Sequence, residues 1–342
     1  MKHRIPALAL AAALALTLAP ATSHAAPPRD RLGKGCTWSK NTGGYFYQYC
    51  KVYSKAMDRN IPIEVRRGFT ETAPVVMMLD GARANPMISD WIGIGKIQKT
   101  IENIDATFVF PAGGKASFYS DWDKKGGTPY QYKWETFMSR ELPQYLKTTF
   151  AIQPVNFGVM GISMGAHAAV RLASQYPKLY TSVAGISGIY NIGYYGANMM
   201  IQDVYENATA DDMYPKGDNR WAEFNIGSKA GASKISPRIK QIVLTTAKDI
   251  PNSGDKIGVY LEQLAKDDTA STARLYKSLG LPVKYTQVGR DVHDWPVFMA
   301  EFRYIVPGFV GKMPKSIRIP APKKKPAPKP APKPAPKPAP KK

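Results

Sequence analysis

Six short apolar runs, each bounded by turn residues, constrain the fold more than any other feature of the chain. They are nearly continuous in apolar character, as strands buried on both faces of a sheet are. Helical patterns lie between them, notably over residues 134–150 and 165–177. The runs are APVVMMLDG, ATFVFPAGG, VNFGVMG, TSVAGISG, QIVLTTAK and LPVKYTQVG. This alternation predicts a mostly parallel, doubly wound α/β sheet with helices on both faces. Before it, residues 47–57 and 61–68 predict an antiparallel pair at one edge.

The first 25 residues have the pattern of a secretory signal peptide. Two cations, Lys2 and Arg4, precede an apolar stretch and the small residues of a cleavage site, with cleavage predicted after Ala25. The apolar stretch is shorter than the roughly 18 to 20 residues that a spanning helix needs. We therefore expect an exported protein, secreted and associated with the cell envelope, with no transmembrane segment in the mature chain.

The other end of the chain is a basic tail. We predict one folded domain over residues 26–312 and a tail over residues 313–342, in which residues 320–342 are a Pro-Ala-Lys repeat without an acidic residue. Such a tract stays extended and forms no core. The net charge is +21, and +11 remains when the repeat and the signal peptide are set aside. For an exported protein, this charge favours anionic wall polymers or lipid headgroups over nucleic acid as partners.

The chain has two cysteines, Cys36 and Cys50, both near the mature N-terminus. In an oxidising compartment such a lone pair usually forms a disulfide. Closing this loop would stabilise the fold by about 3 kcal/mol in the chain-entropy description. The two cysteines do not indicate a zinc site, because no histidine lies near them.

The segment GISMG, residues 161–165, has the Gly-x-Ser-x-Gly spacing of a nucleophile turn between a strand and a helix. An apolar run precedes it and an alanine-rich helical pattern follows. We predict that Ser163 is a catalytic nucleophile. The alternative is an ordinary serine at a helix N-cap, where serine is also favoured.

A nucleophilic serine needs a base, and the chain offers four histidines. His3 and His24 leave with the signal peptide. His167 lies one helical turn after Ser163 and is expected to be structural. His293 remains, and it follows the last strand-like run, in agreement with the chain order serine, acid, histidine of this fold.

The acid has two candidates on pattern alone. Asp249 follows the predicted penultimate strand, and Glu262 lies on a helical pattern beyond it. Asp291 is too close to His293 in sequence to fold back onto it. Either of the first two could hold the imidazole in one tautomer and stabilise its charged form.

Several stretches together resemble the mycolyltransferase family of mycobacteria and corynebacteria, the antigen 85 type. The resemblance extends over most of residues 40–305, in the same order along the chain. The stretches are LDGARA, FPAGGKASFYSDW, YKWETFMSRELPQYL, GISMGAHAAV and DVHDWPVF. The resemblance implies an α/β-hydrolase fold. It also favours Glu262, in the triplet YLE at 260–262, as the acid of the triad, with Asp249 as the alternative.

The resemblance also implies a sugar site and an oxyanion hole. Asp80 and Arg83 match the Asp and Arg with which the family binds trehalose, and Trp295 matches the tryptophan that follows the histidine. The alternative for Asp80 and Arg83 is a local ion pair that shapes the loop. The backbone N–H groups of Ala82 and Met164 would form the oxyanion hole.

The activity implied is that of an exported serine acyltransferase that uses no cofactor and no metal. It would move a mycolyl (corynomycolyl) chain from trehalose monomycolate to an envelope acceptor, which could be trehalose monomycolate, arabinogalactan or a protein serine. Two alternatives are a secreted carboxylesterase with the same triad and a non-catalytic wall-binding protein. The chain departs from the family in the position of its cysteines, in Ala82 where the family has leucine, and in its basic tail.

The tail generates a testable prediction. Truncation after Ile319 should release the protein from isolated cell walls at lower salt, because Coulombic binding is screened over a Debye length of about 8 Å at physiological ionic strength. Turnover of a soluble ester should not change. A salt series of wall binding and an ester assay check both expectations. Impaired turnover, or wall retention that does not change, would contradict this role.

Overall fold

The computed structural model describes residues 28–319, and a twisted nine-stranded sheet forms the centre of this part of the chain. The predicted signal peptide and the Pro-Ala-Lys repeat lie outside the described residues. The strands are β1 Thr37–Trp38, β2 Tyr47–Ser54, β3 Arg59–Arg66, β4 Val75–Leu79, β5 Thr107–Pro111, β6 Phe157–Ile162, β7 Tyr180–Ile186, β8 Gln241–Thr246 and β9 Val283–Gln287. Their order across the sheet is β1-β2-β3-β5-β4-β6-β7-β8-β9.

The first part of the sheet is antiparallel and the rest is parallel. Strands β1, β2, β3 and β5 pair antiparallel, and every pair from β5 to β9 is parallel. All six apolar runs form strands, and the antiparallel pair is present as β2 and β3. The short strand β1 adds outside this pair, so the pair is not the edge that the sequence predicts. A strand of two residues is too short to leave a pattern in the sequence.

Helices cover both faces of the sheet. They are α1 Asp90–Gly93, α2 Gln98–Ile101, α3 Trp134–Thr136, α4 Leu142–Phe150, α5 Met164–Gln175, α6 Tyr194–Val204, α7 Ala210–Met213, α8 Arg220–Phe224, α9 Lys229–Ala232, α10 Lys256–Ser278 and α11 Trp295–Gly311. A π-helical stretch, Phe137–Glu141, joins α3 to α4, and short 3₁₀ helices span Pro28–Asp30 and Lys40–Thr42. Within residues 28–319, no helix is both long and apolar enough to cross a membrane.

The central strands are buried on both faces because each side of the sheet has its own apolar core. On β4, Val75, Met77 and Leu79 pack into one core, while Val76 and Met78 pack into the other. Helices α4 and α5 contribute to the first core and α11 to the second. This arrangement explains the continuous apolar runs and confirms the predicted α/β-hydrolase fold.

At one point of the sheet, successive connections run to opposite sides of the same strand, β4. From β4 the chain goes to β5 on one side, and then returns past β4 to β6 on the other. In open α/β sheets, the crevice beyond the carboxyl ends of such neighbouring strands is the usual place for a site. The loop after β4 and the turn after β6 therefore meet there.

A disulfide and a C-terminal return complete the fold. Cys36 and Cys50 form the predicted disulfide, which joins the segment before β1 to β2. At the other end, residues 313–319 pack onto the body rather than beginning the tail. Met313 is buried in the second core, and Arg318 forms a β-bridge with Ile152. The predicted boundary at 312 is therefore wrong, because these contacts extend the folded body at least to residue 319.

Candidate active site

Ser163 is the single residue between β6 and α5. β6 ends at Ile162 and α5 begins at Met164. Ser163 has φ 51° and ψ −121°, a conformation that a residue with a β-carbon rarely adopts. Its N–H donates to the carbonyl of Ile186 on β7 at 3.0 Å. Backbone strain of this kind persists only where the surrounding structure holds it, and it is concentrated at functional sites.

The turn requires glycine at positions 161 and 165, because backbone segments approach too closely there to leave room for a β-carbon. A β-carbon at Gly161 would lie 2.1 Å from the carbonyl oxygen of Gly165. One at Gly165 would lie 2.5 Å from the carbonyl oxygen of Asp80, at the end of β4. Neither contact is possible for a real side chain. The Gly-x-Ser-x-Gly spacing therefore follows from the space between β4, β6 and α5.

A continuous hydrogen-bond relay runs from this serine to a buried carboxylate. Ser163 Oγ lies 2.9 Å from His293 Nε2, and His293 Nδ1 lies 2.8 Å from Glu262 Oε2. The side chain of His293 is 7% exposed and that of Glu262 is fully buried. Glu262 Oε1 also accepts from the backbone N–H of Ala247 at 2.9 Å. This is the geometry of a nucleophile, a base and an orienting acid.

The helix beginnings place the histidine and the acid. Asp255 caps α10 by accepting from the N–H of Gly258, and Glu262 follows in the next turns. The N–H of His293 donates to the carbonyl of Gly258 at 3.0 Å. Asp294 then caps α11. The first two turns of α10 thus place both partners of the acid–histidine contact, Gly258 by holding His293 and Glu262 by its own position.

The structure distinguishes the two candidate acids and the two mature histidines. Asp249 is exposed and forms a backbone β-bridge with Arg290, whereas the side chain of Glu262 contacts His293. His167 is fully buried, and its Nε2 pairs with the carbonyl of Phe224 at 2.9 Å. Burial lowers the pKa of His167 to about 3, so this histidine is neutral. The structural role predicted for it is confirmed.

Two backbone N–H groups next to this turn, those of Ala82 and Met164, have no protein acceptor in the described part of the chain. Within residues 28–319, neither Ala82 nor Met164 donates a backbone hydrogen bond. Met164 is the first residue of α5, where N–H groups have no intrahelical partner. A β-carbon at Gly81 would be 3.6 Å from that of Ser163, so the loop of Ala82 lies against the turn.

The loop after β5 fixes the loop that carries Ala82. The N–H of Ala116 donates to the carbonyl of Ala82 at 2.8 Å, and the N–H of Asp80 donates to the hydroxyl of Tyr119 at the same distance. Ala116, Phe118 and Tyr119 all have φ near +50°, in the left-handed region that residues with a β-carbon rarely adopt. The two N–H groups are therefore held in place before any ligand binds.

Two of the residues assigned to a sugar site, Asp80 and Arg83, have different partners in the structure. Asp80 is fully buried, and its Oδ1 accepts from Ser89 Oγ at 3.0 Å. Burial, and next the charge of Asp90, raise the pKa of Asp80 well above its usual range. Arg83 is exposed and pairs with Asp203 at 2.7 Å. The alternative of an ion pair between Asp80 and Arg83 is therefore wrong.

Trp295 is half-buried at the beginning of α11, two residues after His293. Its ring makes edge-to-face contacts with Trp91 at 5.6 Å and Phe298 at 5.9 Å between centroids. Phe298 also packs edge-on against the ring of His293 at 4.9 Å. Trp295 is therefore part of an aromatic group next to the relay. Its contact with substrate stays a prediction.

Sequence reasoning missed the residues behind Glu262. Ser187 follows β7 with φ 44°, and its Oγ lies 2.9 Å from Glu262 Oε1. The sequence signal was present, because Gly185 and Gly188 flank Ser187 at the carboxyl end of a strand. A second acid, Glu301, was missed because it lies within an apolar helix. Within the described residues, no group of three His, Cys, Asp or Glu side chains could hold a metal ion.

Comparisons with known proteins identify the class first. The family model "Esterase: Putative esterase" matches residues 54–307, about three quarters of the chain, so the chain belongs to this esterase family. Solved structures share the fold. They include Mycobacterium tuberculosis MPT51 (FbpC1), with 22% identity, a TM-score of 0.66 and coverage of 78% of this chain and 98% of that chain. An S-formylglutathione hydrolase from Agrobacterium tumefaciens has 14% identity, a TM-score of 0.57 and coverage of 83% and 100%.

Curated relatives then confirm the resemblance to the antigen 85 type. The diacylglycerol acyltransferase/mycolyltransferase Ag85A of Mycobacterium ulcerans is 33% identical over 184 residues, 51% of this chain and 54% of the relative. Ag85C of Mycobacterium avium, which has the same functional name, is 32% identical over 148 residues, 42% of this chain and 41% of the relative. The chain thus spans about half the length of the curated relatives it matches.

The close packing at the turn generates a prediction. Gly161→Ala should lower the free energy of unfolding by about 1–3 kcal/mol, the usual cost of overpacking, because its β-carbon would overlap the backbone of α5. Gly308→Ala is the control, since a β-carbon there meets nothing within 4 Å. Urea unfolding of both variants measures the difference. Equal midpoints would contradict the packing argument.

Proposed function

We propose that the protein is an exported acyltransferase that moves a mycolyl (corynomycolyl) chain from trehalose monomycolate to an envelope acceptor through an acyl-enzyme on Ser163. The observation that carries the proposal is the relay from Ser163 through His293 to Glu262, beside two unengaged backbone N–H groups. The names of the relatives, which describe acyltransferases and mycolyltransferases, support the choice of acyl transfer and of a mycolyl donor.

In the first half of the reaction, Ser163 Oγ attacks the carbonyl carbon of the donor ester while His293 Nε2 accepts the hydroxyl proton. The N–H groups of Ala82 and Met164 stabilise the resulting oxyanion. Glu262 stabilises the imidazolium through Nδ1. The ester C–O bond then breaks, and His293 gives its proton to the departing trehalose oxygen. The acyl chain remains bonded to Ser163 Oγ.

In the second half, an acceptor hydroxyl attacks the acyl-enzyme carbonyl. His293 accepts its proton, and the same two N–H groups hold the second oxyanion. The bond to Ser163 Oγ breaks, and His293 returns the proton to that oxygen. The proposed acceptor is a hydroxyl of trehalose monomycolate, of arabinogalactan or of a protein serine.

The sugar is proposed to bind at the rim formed by the loop after β4 and the beginning of α11. Arg83 is exposed there and offers a guanidinium to sugar hydroxyls, and Trp295 offers an apolar ring face. Asp80 stays a proposed sugar ligand on the resemblance. Because its carboxyl group is buried, direct contact requires that the loop after Asp80 move.

The place of action is proposed to be the cell envelope, after export. The predicted signal peptide and the net charge of +21 support this proposal. Anionic wall material is the proposed partner of the basic tail.

Identification of every labelled product after incubation with acyl-labelled trehalose monomycolate tests the function. We expect label on an acylated acceptor and none after Ser163→Ala, because the acyl chain passes through that oxygen. Excess trehalose should increase the transferred fraction. Label found only in free acid would indicate the carboxylesterase instead. An unmodified Ser163 after treatment with a serine-directed phosphonate, together with no turnover, would indicate the non-catalytic wall-binding protein.

The role of the acid has its own matched pair of variants. Glu262→Gln should lower kcat by about 10³- to 10⁴-fold, as for the acid of comparable triads, because a neutral amide does not stabilise the imidazolium. Asp249→Asn should leave kcat within about twofold, since surface substitutions away from a site have small effects. Steady-state kinetics on a soluble ester checks both. The reverse outcome would assign the acid to Asp249.

A further inference from the structure

A second buried acid lies directly behind the relay. Ser187 Oγ lies 2.9 Å from Glu262 Oε1 and 2.8 Å from Glu301 Oε1, so one hydroxyl connects two carboxyl groups. Ser187, Glu262 and Glu301 are all fully buried. The hydroxyl of Thr245 on β8 contacts the other oxygen of Glu301. The backbone N–H of Ser187 also acts on Glu301 as a hydrogen-bond donor.

The count of donors limits how many of these acids can be ionised. An ionised carboxylate only accepts hydrogen bonds, and a serine hydroxyl has a single proton to donate. If both acids were ionised, Ser187 could donate its proton to only one of them. In its contact with the other acid, the lone pairs of Ser187 Oγ would face the lone pairs of a carboxylate oxygen. One of the two carboxyl groups therefore carries a proton.

The surroundings decide which acid carries it. Glu262 receives the N–H of Ala247 on one oxygen and faces Nδ1 of His293 with the other. Both contacts require an acceptor at Glu262. At Glu301 the side-chain contacts are two hydroxyl groups, which can accept as well as donate, and the backbone N–H of Ser187 is a weaker third contact; Glu301 has no ion pair within residues 28–319. The proton therefore belongs on Glu301.

Burial and charge favour the protonated form of Glu301, and they outweigh the hydrogen bonds from Thr245 and Ser187, which act in the opposite direction. Burial, and next the negative charge of Glu262 on α10, raise the pKa of Glu301 to about 8. Tyr190, in the loop after β7, is buried and has its own pKa raised well above the usual range by burial and neighbouring acids. Glu301 is thus protonated at neutral pH and loses its proton as the pH rises through this value.

We propose that Glu301 is a positioning residue that acts in its protonated form: its carboxyl proton is donated to Ser187 Oγ, which directs the Ser187 proton to Glu262 Oε1. Glu262 then has three donors, from Ser187, Ala247 and His293, and stays ionised with Oε2 towards the imidazole. The inference rests on the proposed function, because it assigns Glu262 to the relay.

Loss of the Glu301 proton removes the hydrogen bond that Glu301 donates to Ser187 Oγ. The ionised Glu301 competes for the Ser187 proton, so Glu262 loses a donor and gains a like charge behind it. We expect activity to decline as the pH rises through about 8. No group that contacts the substrate needs to titrate for this decline.

Two substitutions of Glu301 distinguish the effect of a neutral hydrogen-bond donor from the effects of a charge and of lost hydrogen bonds. Glu301→Gln keeps the shape, donates an amide N–H to Ser187 and stays neutral at every pH. Glu301→Leu keeps the volume and removes both hydrogen bonds. We expect Leu to lower kcat by about tenfold or more, the scale of a lost hydrogen bond near a charged group, with KM little changed. Glu301→Gln should keep most of the kcat that Glu301→Leu loses, and its activity should not decline at alkaline pH as that of the wild type does.

Infrared spectroscopy detects the carboxyl proton of Glu301 directly, and the measurement does not depend on turnover. The wild type should lose a protonated-carboxyl band between about pH 6 and about pH 10, and Glu301→Gln should lack that change. Glu64→Gln is the matched control, because Glu64 on β3 is also buried with a raised pKa of about 7 but does not contact the relay. It should remove a different band and keep the alkaline decline in activity.

Three results would overturn the inference. They are a Gln variant as impaired as the Leu variant at neutral pH, an alkaline decline shared by the wild type and Glu301→Gln, and an infrared band change that Glu301→Gln does not remove. The failure of the proposed function looks different, since the label would then appear only in free acid or the wild type would show no turnover. The infrared result holds in either case, so the two failures are distinguishable.

Discussion

The contact on which the rest of the site depends is made without side chains. The backbone of the turn after β6 packs so closely, on α5 at Gly161 and on the end of β4 at Gly165, that neither glycine has room for a β-carbon. This packing holds Ser163 in a conformation with positive φ. It also brings the loop of Ala82 against the turn. A single steric constraint thus sets the position of the nucleophile and of the N–H groups beside it.

Much of the fold follows from local patterns in the sequence. The six apolar runs become strands because both faces of the sheet are covered, and this burial is a property of each run by itself. Ser163 is recognisable because its glycines are adjacent to it in sequence. His293 follows from the small number of histidines. These features need no knowledge of what lies far away along the chain.

Features that arise from distant contacts are not visible in this way. The choice between Asp249 and Glu262 depends on how α10 places its side chains against His293, and only the resemblance favoured Glu262. Glu301 is an acid in an apolar helix, and its meaning depends on Ser187, which is 114 residues away. The burial of Asp80 likewise depends on Ser89 and α1. Sequence spacing alone contains no information on these pairs.

The return of residues 313–319 sets the direction in which the chain leaves the body. The N–H of Ile319 donates to the carbonyl of Ala151, a few residues before β6 begins, whereas Ser163 lies at the other end of the same strand. A strand of six residues spans about 20 Å. The exit point and the nucleophile are therefore on opposite rims of the sheet. Binding of another surface to the chain beyond Ile319 would therefore need no contact with the catalytic rim, which leaves that rim free for substrate.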